Sequence, residues 1–391
     1  GVVAHAQTNT DTLILTRQLG EVVVNAPVAQ VTNNKIVLDQ AELNQDNTGQ
    51  NLPYLLSRVP ALVATSDDGL GVGYTYFRIR GTDHTRINMT VNDVPLNDGE
   101  SQTVFWVNMT DMASSMSRVN VQRGIGTSTN GSASFGASIN METNSSLFAS
   151  PSDSLLASSV TLSFNGGMYN TFREMVNAHI VLPNHWQANA RFSKVNSDGF
   201  LYRTESDLYS YYGDLGWYGA KTQVIARFFG GSEKTGMGWD GVDYNTAYGI
   251  NGADRRYNPA GEYTITAMDG SDSIAYYPNQ TDNYAQQHAQ LSLIHRLSTR
   301  WTLSATAHYT HGAGYYEQYK RKKLSYWGLP YSHKAYGMYR KQLDNHFFGG
   351  VVSAKYISEP IDIQLGGAAN YYMGDHFGTL HYLEDTIILP I

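Results

Sequence analysis

Beyond residue 146 the chain alternates with period two. Trp301, Leu303, Ala305, Ala307 and Tyr309 are apolar, and Thr302, Ser304, Thr306, His308 and Thr310 between them are polar. Trp186, Ala188, Ala190 and Phe192 alternate with Gln187, Asn189, Arg191 and Ser193, and Val160, Leu162 and Phe164 with Thr161, Ser163 and Asn165. Such alternation marks a strand with one apolar and one wet face. A soluble sandwich gives the same pattern. These segments, however, run about nine to twelve residues, a bilayer-spanning length rather than the usual five or six. About nine are expected, near 155–166, 171–182, 185–196, 207–218, 221–232, 284–297, 300–312, 341–357 and 360–374.

The connections sharpen the reading. Pro183-Asn184, Gly219-Ala220, Ser298-Thr299 and Ser358-Glu359 are tight turns, whereas 233–283 and 313–340 read as long loops; only 167–170 breaks the trend. Short turns on one rim and long loops on the other is an outer-membrane barrel pattern. Composition agrees. Charged residues are 16% of the chain against a usual value of roughly 25%. Tyr is 28 of 391 residues and Gly 37, and no apolar run is long enough for a membrane-crossing helix. A net charge of −7 argues against a nucleic-acid partner, and the absence of Cys excludes disulfides and thiolate metal sites.

Residues 31–146 have a different texture. Leu52 to Val59 carries helical spacing, with Pro53 near its start and Pro60 as its stop. Short β-like runs follow at 76–80, 87–94 and 119–123, separated by the loops Ser66–Tyr74, Pro95–Ser101 and Gly124–Gly136. Five segments in order carry a family resemblance: Leu52–Pro60 with Ala61-Leu62-Val63; Phe77-Arg78-Ile79-Arg80-Gly81; Val91-Asn92-Asp93-Val94-Pro95-Leu96; Val119–Gly124; and Gly131–Asn140. Together they resemble the plug domain of TonB-dependent outer-membrane receptors. Asn92-Asp93-Val94 departs from the family in lacking the Gly that usually follows the Asp.

The resemblance implies an α+β plug domain followed by an antiparallel transmembrane β-barrel, incomplete here at about nine of 22 strands. It divides the chain into a signal-peptide remnant and flexible tail with a TonB box (1–30), a plug (31–146) and a partial outer-membrane β-barrel (147–391). An N-terminal fragment of a longer gene is expected, or a gene cut short whose product is a non-functional truncated fragment. Ala4-His5-Ala6 is an A-x-A cleavage pattern, consistent with export. The implied location is the bacterial outer membrane. The implied partners are the TonB-ExbB-ExbD energy-coupling complex, outer-membrane lipid and a scarce small ligand, with the receptor a monomer.

Site residues follow from the same resemblance. Glu21, Val22, Val23, Val24, Asn25 and Ala26 resemble the TonB box, which would couple by strand addition to its partner; an edge strand of the plug is the alternative, and Thr12–Thr16 is a second candidate box. Arg80 and Arg123 stand where the family pairs plug arginines with wall carboxylates, although plain solvent exposure accounts equally for them. Tyr74, Phe105 and Trp106 at the plug apex, and Trp239, Tyr315 and Tyr316 in the long loops, are candidate ligand-facing aromatics; packing against the wall is the alternative for Phe105 and Trp106. With Lys320–Lys323 nearby, they fit a ferric siderophore or other iron complex, with cobalamin or an oligosaccharide as alternatives. No hydrolase elbow, phosphate loop or metal-spaced His cluster stands out, so no enzyme activity, cofactor or metal site is expected.

Overall fold

The computed structural model describes residues 35–125, 134–143 and 158–384. The expected signal remnant, the box at Glu21–Ala26 and the alternative at Thr12–Thr16 lie outside the described residues.

The first domain is a mixed α+β unit. β1 (Lys35–Asp39) runs into α1 (Gln40–Asp46), where Asp39 and Glu42 form a reciprocal capping box. α2 (Leu52–Leu55) has Pro53 in its first turn and passes into a 3₁₀ turn, Leu56–Arg58, ahead of Pro60. β2 (Leu62–Ser66), β3 (Thr75–Ile79) and β4 (Thr82–Asp83) make a three-stranded antiparallel sheet. β5 (Ile87–Val91), β6 (Val94–Pro95), β7 (Met116–Arg123) and β8 (Ala137–Thr143) join β1 in a second sheet of order β1-β7-β8-β5-β6, in which β5 and β8 run parallel. Ile79, Ile87, Met89, Val121 and Met141 fill the core between them, each at most 1% exposed. Its texture is that of an ordinary soluble interior.

The second unit is a nine-stranded antiparallel wall. It comprises β9 (Ser159–Gly167), β10 (Thr171–Leu182), β11 (Trp186–Ser197), β12 (Ser206–Tyr218) and β13 (Thr222–Gly236). A small hairpin, β14 (Glu262–Thr266) with β15 (Asp272–Tyr276), interrupts it, and β16 (Thr281–Arg296), β17 (Trp301–Lys323), β18 (Lys334–Ser358) and β19 (Ile361–Glu384) complete it. Every strand pairs with its neighbour in the wall's own chain order. Nine expected strands are therefore nine observed ones.

One expectation is corrected. Residues 313–340 are not one long loop: β17 and β18 stay paired from Trp301–Tyr356 up to Lys323–Lys334. The polar, Tyr-rich continuation conceals the strand because its outer surface no longer faces hydrocarbon, so alternation of hydropathy stops while hydrogen bonding continues.

The wall inverts the usual burial rule. Arg173, Asn189, Arg191, Ser193, Asp214, Arg227, Gln290 and Ser292 are buried on the inward face, against the first domain. Leu162, Ile180, Phe192, Leu215, Phe228, Leu291, Val352 and Leu365 are exposed on the outward face. Two aromatic belts bound this apolar band. Trp301 and Tyr356 lie near the tight turns with ring centres 5.1 Å apart, and Phe348 and Tyr371 lie near the other end, 5.6 Å apart. An apolar band between aromatic belts is a lipid-facing surface.

Candidate functional site

At the long-loop end, the loop Ser66–Tyr74 is folded around a single carboxylate. Asp68 Oδ1 accepts the backbone N–H groups of Leu70 (3.0 Å) and Gly71 (2.9 Å), and Oδ2 those of Val72 (3.2 Å) and Gly73 (3.3 Å). Gly71 has φ +84°, and a Cβ there would stand 2.7 Å from the Tyr54 ring. A side chain at that position is excluded on both counts. The loop thereby presents Tyr74 to the wall.

Tyr74 is the centre of an aromatic cluster. Its ring stacks on Trp239 at 5.7 Å and 19°, and meets Phe105 edge-on at 6.3 Å. Trp239 in turn meets Tyr316 edge-on at 5.5 Å. Four of the six candidate aromatics thus come together from four separate parts of the sequence. Phe105 and Trp239 remain 38% and 40% exposed, so their rings are available to a ligand. The other two stand apart. Trp106 is buried in the plug core against Phe77, with ring centres 6.2 Å apart. Tyr315 neighbours Tyr316 on β17 and so points to the opposite face, where its ring lies 4.1 Å from the Arg340 guanidinium.

Carboxylates lie beneath the rings. The Tyr74 hydroxyl donates to Asp282 Oδ2 at 2.5 Å and lies 3.3 Å from Glu233 Oε1. Burial, followed by the charges of Glu233 and Asp282, pushes the Tyr74 hydroxyl well above its ordinary value, so it stays a donor. Asp67 accepts from the Tyr76 hydroxyl at 3.0 Å. Burial, reinforced by the Asp68 charge, nevertheless pushes the Asp67 carboxyl up to about 6. The expected cationic loop is partly neutralised here: Lys320 lies 3.7 Å from Asp240.

A second centre joins plug to wall. Asp111 Oδ1 lies 3.0 Å from Arg173 Nε and Oδ2 3.6 Å from Arg191 Nη1, with both guanidiniums and the carboxylate buried. Ser193 donates to Asp111 Oδ2 at 2.6 Å, and Asn47 and Ser114 to Oδ1 at 2.7 Å each. Arg191 Nε also donates to Ser115 and Arg173 Nη2 to Ser114. Burial alone would raise the Asp111 carboxyl. The two arginines and the hydroxyls outweigh it and hold the group below the usual carboxylate range.

In this contact the carboxylate is on the plug and the arginines are on the wall. Among the plug arginines, Arg123 donates to the Pro60 carbonyl (3.3 Å) and the Arg80 guanidinium lies beside Gly124. Sequence reasoning missed Asp111. Arg191 was legible, because alternation puts it on the wet face of a spanning strand, where a charge needs a partner.

Residues 27–138 match the family described as the TonB-dependent Receptor Plug Domain. The segment that folds as the plug is thus a match to that family, and the wall that follows it has the strand arrangement of part of a TonB-dependent receptor barrel. Solved structures share this fold. The siderophore receptor PiuA from Acinetobacter baumannii aligns with TM-score 0.56 and 15% identity over 88% of this chain and 46% of its own. The copper transporter OprC aligns at 0.63 and 14% over 90% and 47%. The ferric-catecholate import receptor Fiu from E. coli K12, in its open form, aligns at 0.60 and 13% over 89% and 50%. The chain therefore spans about half the length of these solved proteins. No curated protein matches it. The receptor fold belongs to the bacterial outer membrane, and the outward apolar band is the surface that location requires.

Proposed function

We propose that the receptor chain serves energy-coupled import of a scarce, bulky ligand across the outer membrane, most specifically an iron chelate. The observation that carries this reading is the cluster of Tyr74, Phe105, Trp239 and Tyr316, which gathers plug apex and wall into one aromatic surface with Phe105 and Trp239 exposed. Flat rings of that kind hold the aromatic or extended faces of a chelate. Two of the structurally similar proteins, a siderophore receptor and a ferric-catecholate import receptor, agree with it.

In this reading the ligand binds over Tyr74, and its binding biases the segment Glu21–Ala26 toward release into the periplasm. The TonB-ExbB-ExbD complex then adds a strand to that segment and pulls on the plug. The receptor acts as a monomer, and no bond in the ligand is broken. Exposed aromatic faces such as those of Phe105 and Trp239 also suit an oligosaccharide, whose rings stack on them; cobalamin is a further alternative.

The test uses the full-length receptor in its own cell. Deletion should abolish growth on one ferric chelate as sole iron source, and Trp239→Ala should weaken binding of that chelate. Val23→Pro should abolish energised uptake while leaving binding intact, because proline removes a ladder donor. Growth unchanged on every iron source, but lost on an oligosaccharide, would replace the iron reading with the second one. Uptake unchanged in Val23→Pro would remove the coupling assignment.

A further inference from the structure

The outward face of the wall carries a cluster that import does not use. His311 on β17 and His346 on β18 are direct partners in the ladder, and Asp344 lies two residues along β18 on the same face. His311 Nε2 lies 3.0 Å from Asp344 Oδ1, and His346 Nε2 lies 3.6 Å from the same oxygen. The imidazoles stack with ring centres 4.8 Å apart, and the three potential ligand atoms all lie within 4.8 Å of one another. His346 turns its other nitrogen, Nδ1, to the Tyr309 hydroxyl at 2.8 Å. Beside the group is a cavity of about 220 Å³, lined by Phe228, Gln287, Ala289 and Tyr309 together with both histidines.

Position along the strand fixes the surroundings. From Trp301, in the belt near the tight turns, ten residues lead to His311. That is roughly 33 Å of strand. At a tilt of about 45° it climbs about 23 Å, close to the height of the apolar band. The cluster therefore sits at the outer edge of the band, where water reaches it; the Asp344 side chain is 49% exposed.

Two imidazoles and one carboxylate are the donor set of a borderline divalent ion such as zinc. Ligand atoms around a tetrahedral zinc are about 3.3 Å apart, and the observed 3.0 and 3.6 Å bracket that value. In the tautomer whose Nδ1–H donates to the Tyr309 oxygen, His346 keeps its Nε2 lone pair for a metal, the usual outer support of a ligating histidine. An exposed His–Asp contact alone has little energetic value. It gives no reason for two imidazole Nε2 atoms to converge on one oxygen beside a cavity.

We propose that His311, Asp344 and His346 bind a divalent transition-metal ion of the zinc type, with water in the remaining positions, tying β17 to β18 at the outer rim of the wall. The site faces away from the plug, and its existence is independent of the import reading.

The experiment is calorimetric titration of the full-length receptor in detergent with zinc chloride alone at neutral pH. One site should be seen in the wild type, lost in the double variant H311A/H346A and weakened about tenfold in Tyr309→Phe, as expected for a supporting partner. Heat-modifiable gel migration checks that each variant is folded. Equal stoichiometry and affinity in wild type and folded double variant would overturn the proposal, as would no binding by the wild type. If the double variant fails to fold, the wild type decides.

Discussion

Met89 in the plug and Leu291 in the wall occupy strands of similar regularity, yet Met89 is completely buried and Leu291 is 54% exposed. Flanking Leu291, the polar Gln290 and Ser292 are each only 5% exposed. The two regions read the same period-two code with opposite sign because their surroundings differ. Plug strands turn apolar residues away from water, and wall strands turn them toward lipid and their polar residues toward the plug. Plug and wall consequently meet through a largely polar surface. Asp111 with Arg173 and Arg191, and Asn92 with Gln290 at 3.1 Å, form that seam, while Tyr212 and Phe229 are apolar studs the wall sends into the plug core.

The seam offers the largest test of this contrast. Asp111→Ala leaves two buried guanidiniums without their carboxylate, a loss of about 3–5 kcal/mol in plug anchoring. Limited proteolysis of the purified receptor should then cut the plug much faster, with the wall intact. The sign of the pH dependence follows from the lowered carboxyl. Its contribution is fully present above the ordinary carboxylate range and is lost as pH falls through the lowered folded value. Plug protection that is unchanged by Asp111→Ala would mean that the seam is held elsewhere.

Next come two substitutions that should behave in opposite ways. Met89→Ala removes a fully buried side chain and should destabilise the plug by about 2–5 kcal/mol, whereas Leu291→Ala, facing lipid, leaves no internal cavity. Leu291→Arg puts a charge near the middle of the apolar band and should reduce wall stability by about 2–4 kcal/mol. Urea unfolding in lipid vesicles measures both. If Leu291→Arg were neutral, the outward face would be in water and the inversion would lose its physical basis.

Much of this was legible in the sequence, and unevenly so. The wall strands could be read because lipid imposes one uniform demand on every second residue. The reading failed above the membrane, at Tyr315 and Tyr316, where β17 continues with no hydrophobic contrast to mark it. In the plug, the helix at Leu52 and the strands β3, β5 and β7 carried turn signals. β1, β8 and the 3₁₀ turn Trp106–Met109 did not, since they are defined by tertiary pairing and packing. Clustering of Tyr74 with Trp239 and Tyr316 depends on strand order and on the Asp68-organised loop, and no local pattern announces contacts between residues so distant in sequence. The Asp111 ion pair was hidden for a related reason. Alternation tells that Arg191 needs a partner, but not that a plug aspartate supplies it.

The smallest effect lies where the two regions touch at the apex. Asp67 is a plug carboxylate whose folded value, about 6, is above its unfolded one. A raised carboxyl contributes stability that is complete below the unfolded value and is lost as pH rises through the folded one. The window therefore runs from about pH 4 to about pH 6. Hydrogen exchange of the Ser66–Tyr74 backbone should thus be slower at pH 5 than at pH 7.5, once the intrinsic rate is corrected. Asp67→Asn, which keeps the shape without the charge, should flatten that difference while Asp111→Ala leaves it in place. The paired outcome separates the two contributions, since the carboxylate at the apex resists ionisation and the one in the seam requires it. A pH difference that survives Asp67→Asn would move the titration to the wall carboxylates, Glu233 and Asp282, that share the Tyr74 hydroxyl.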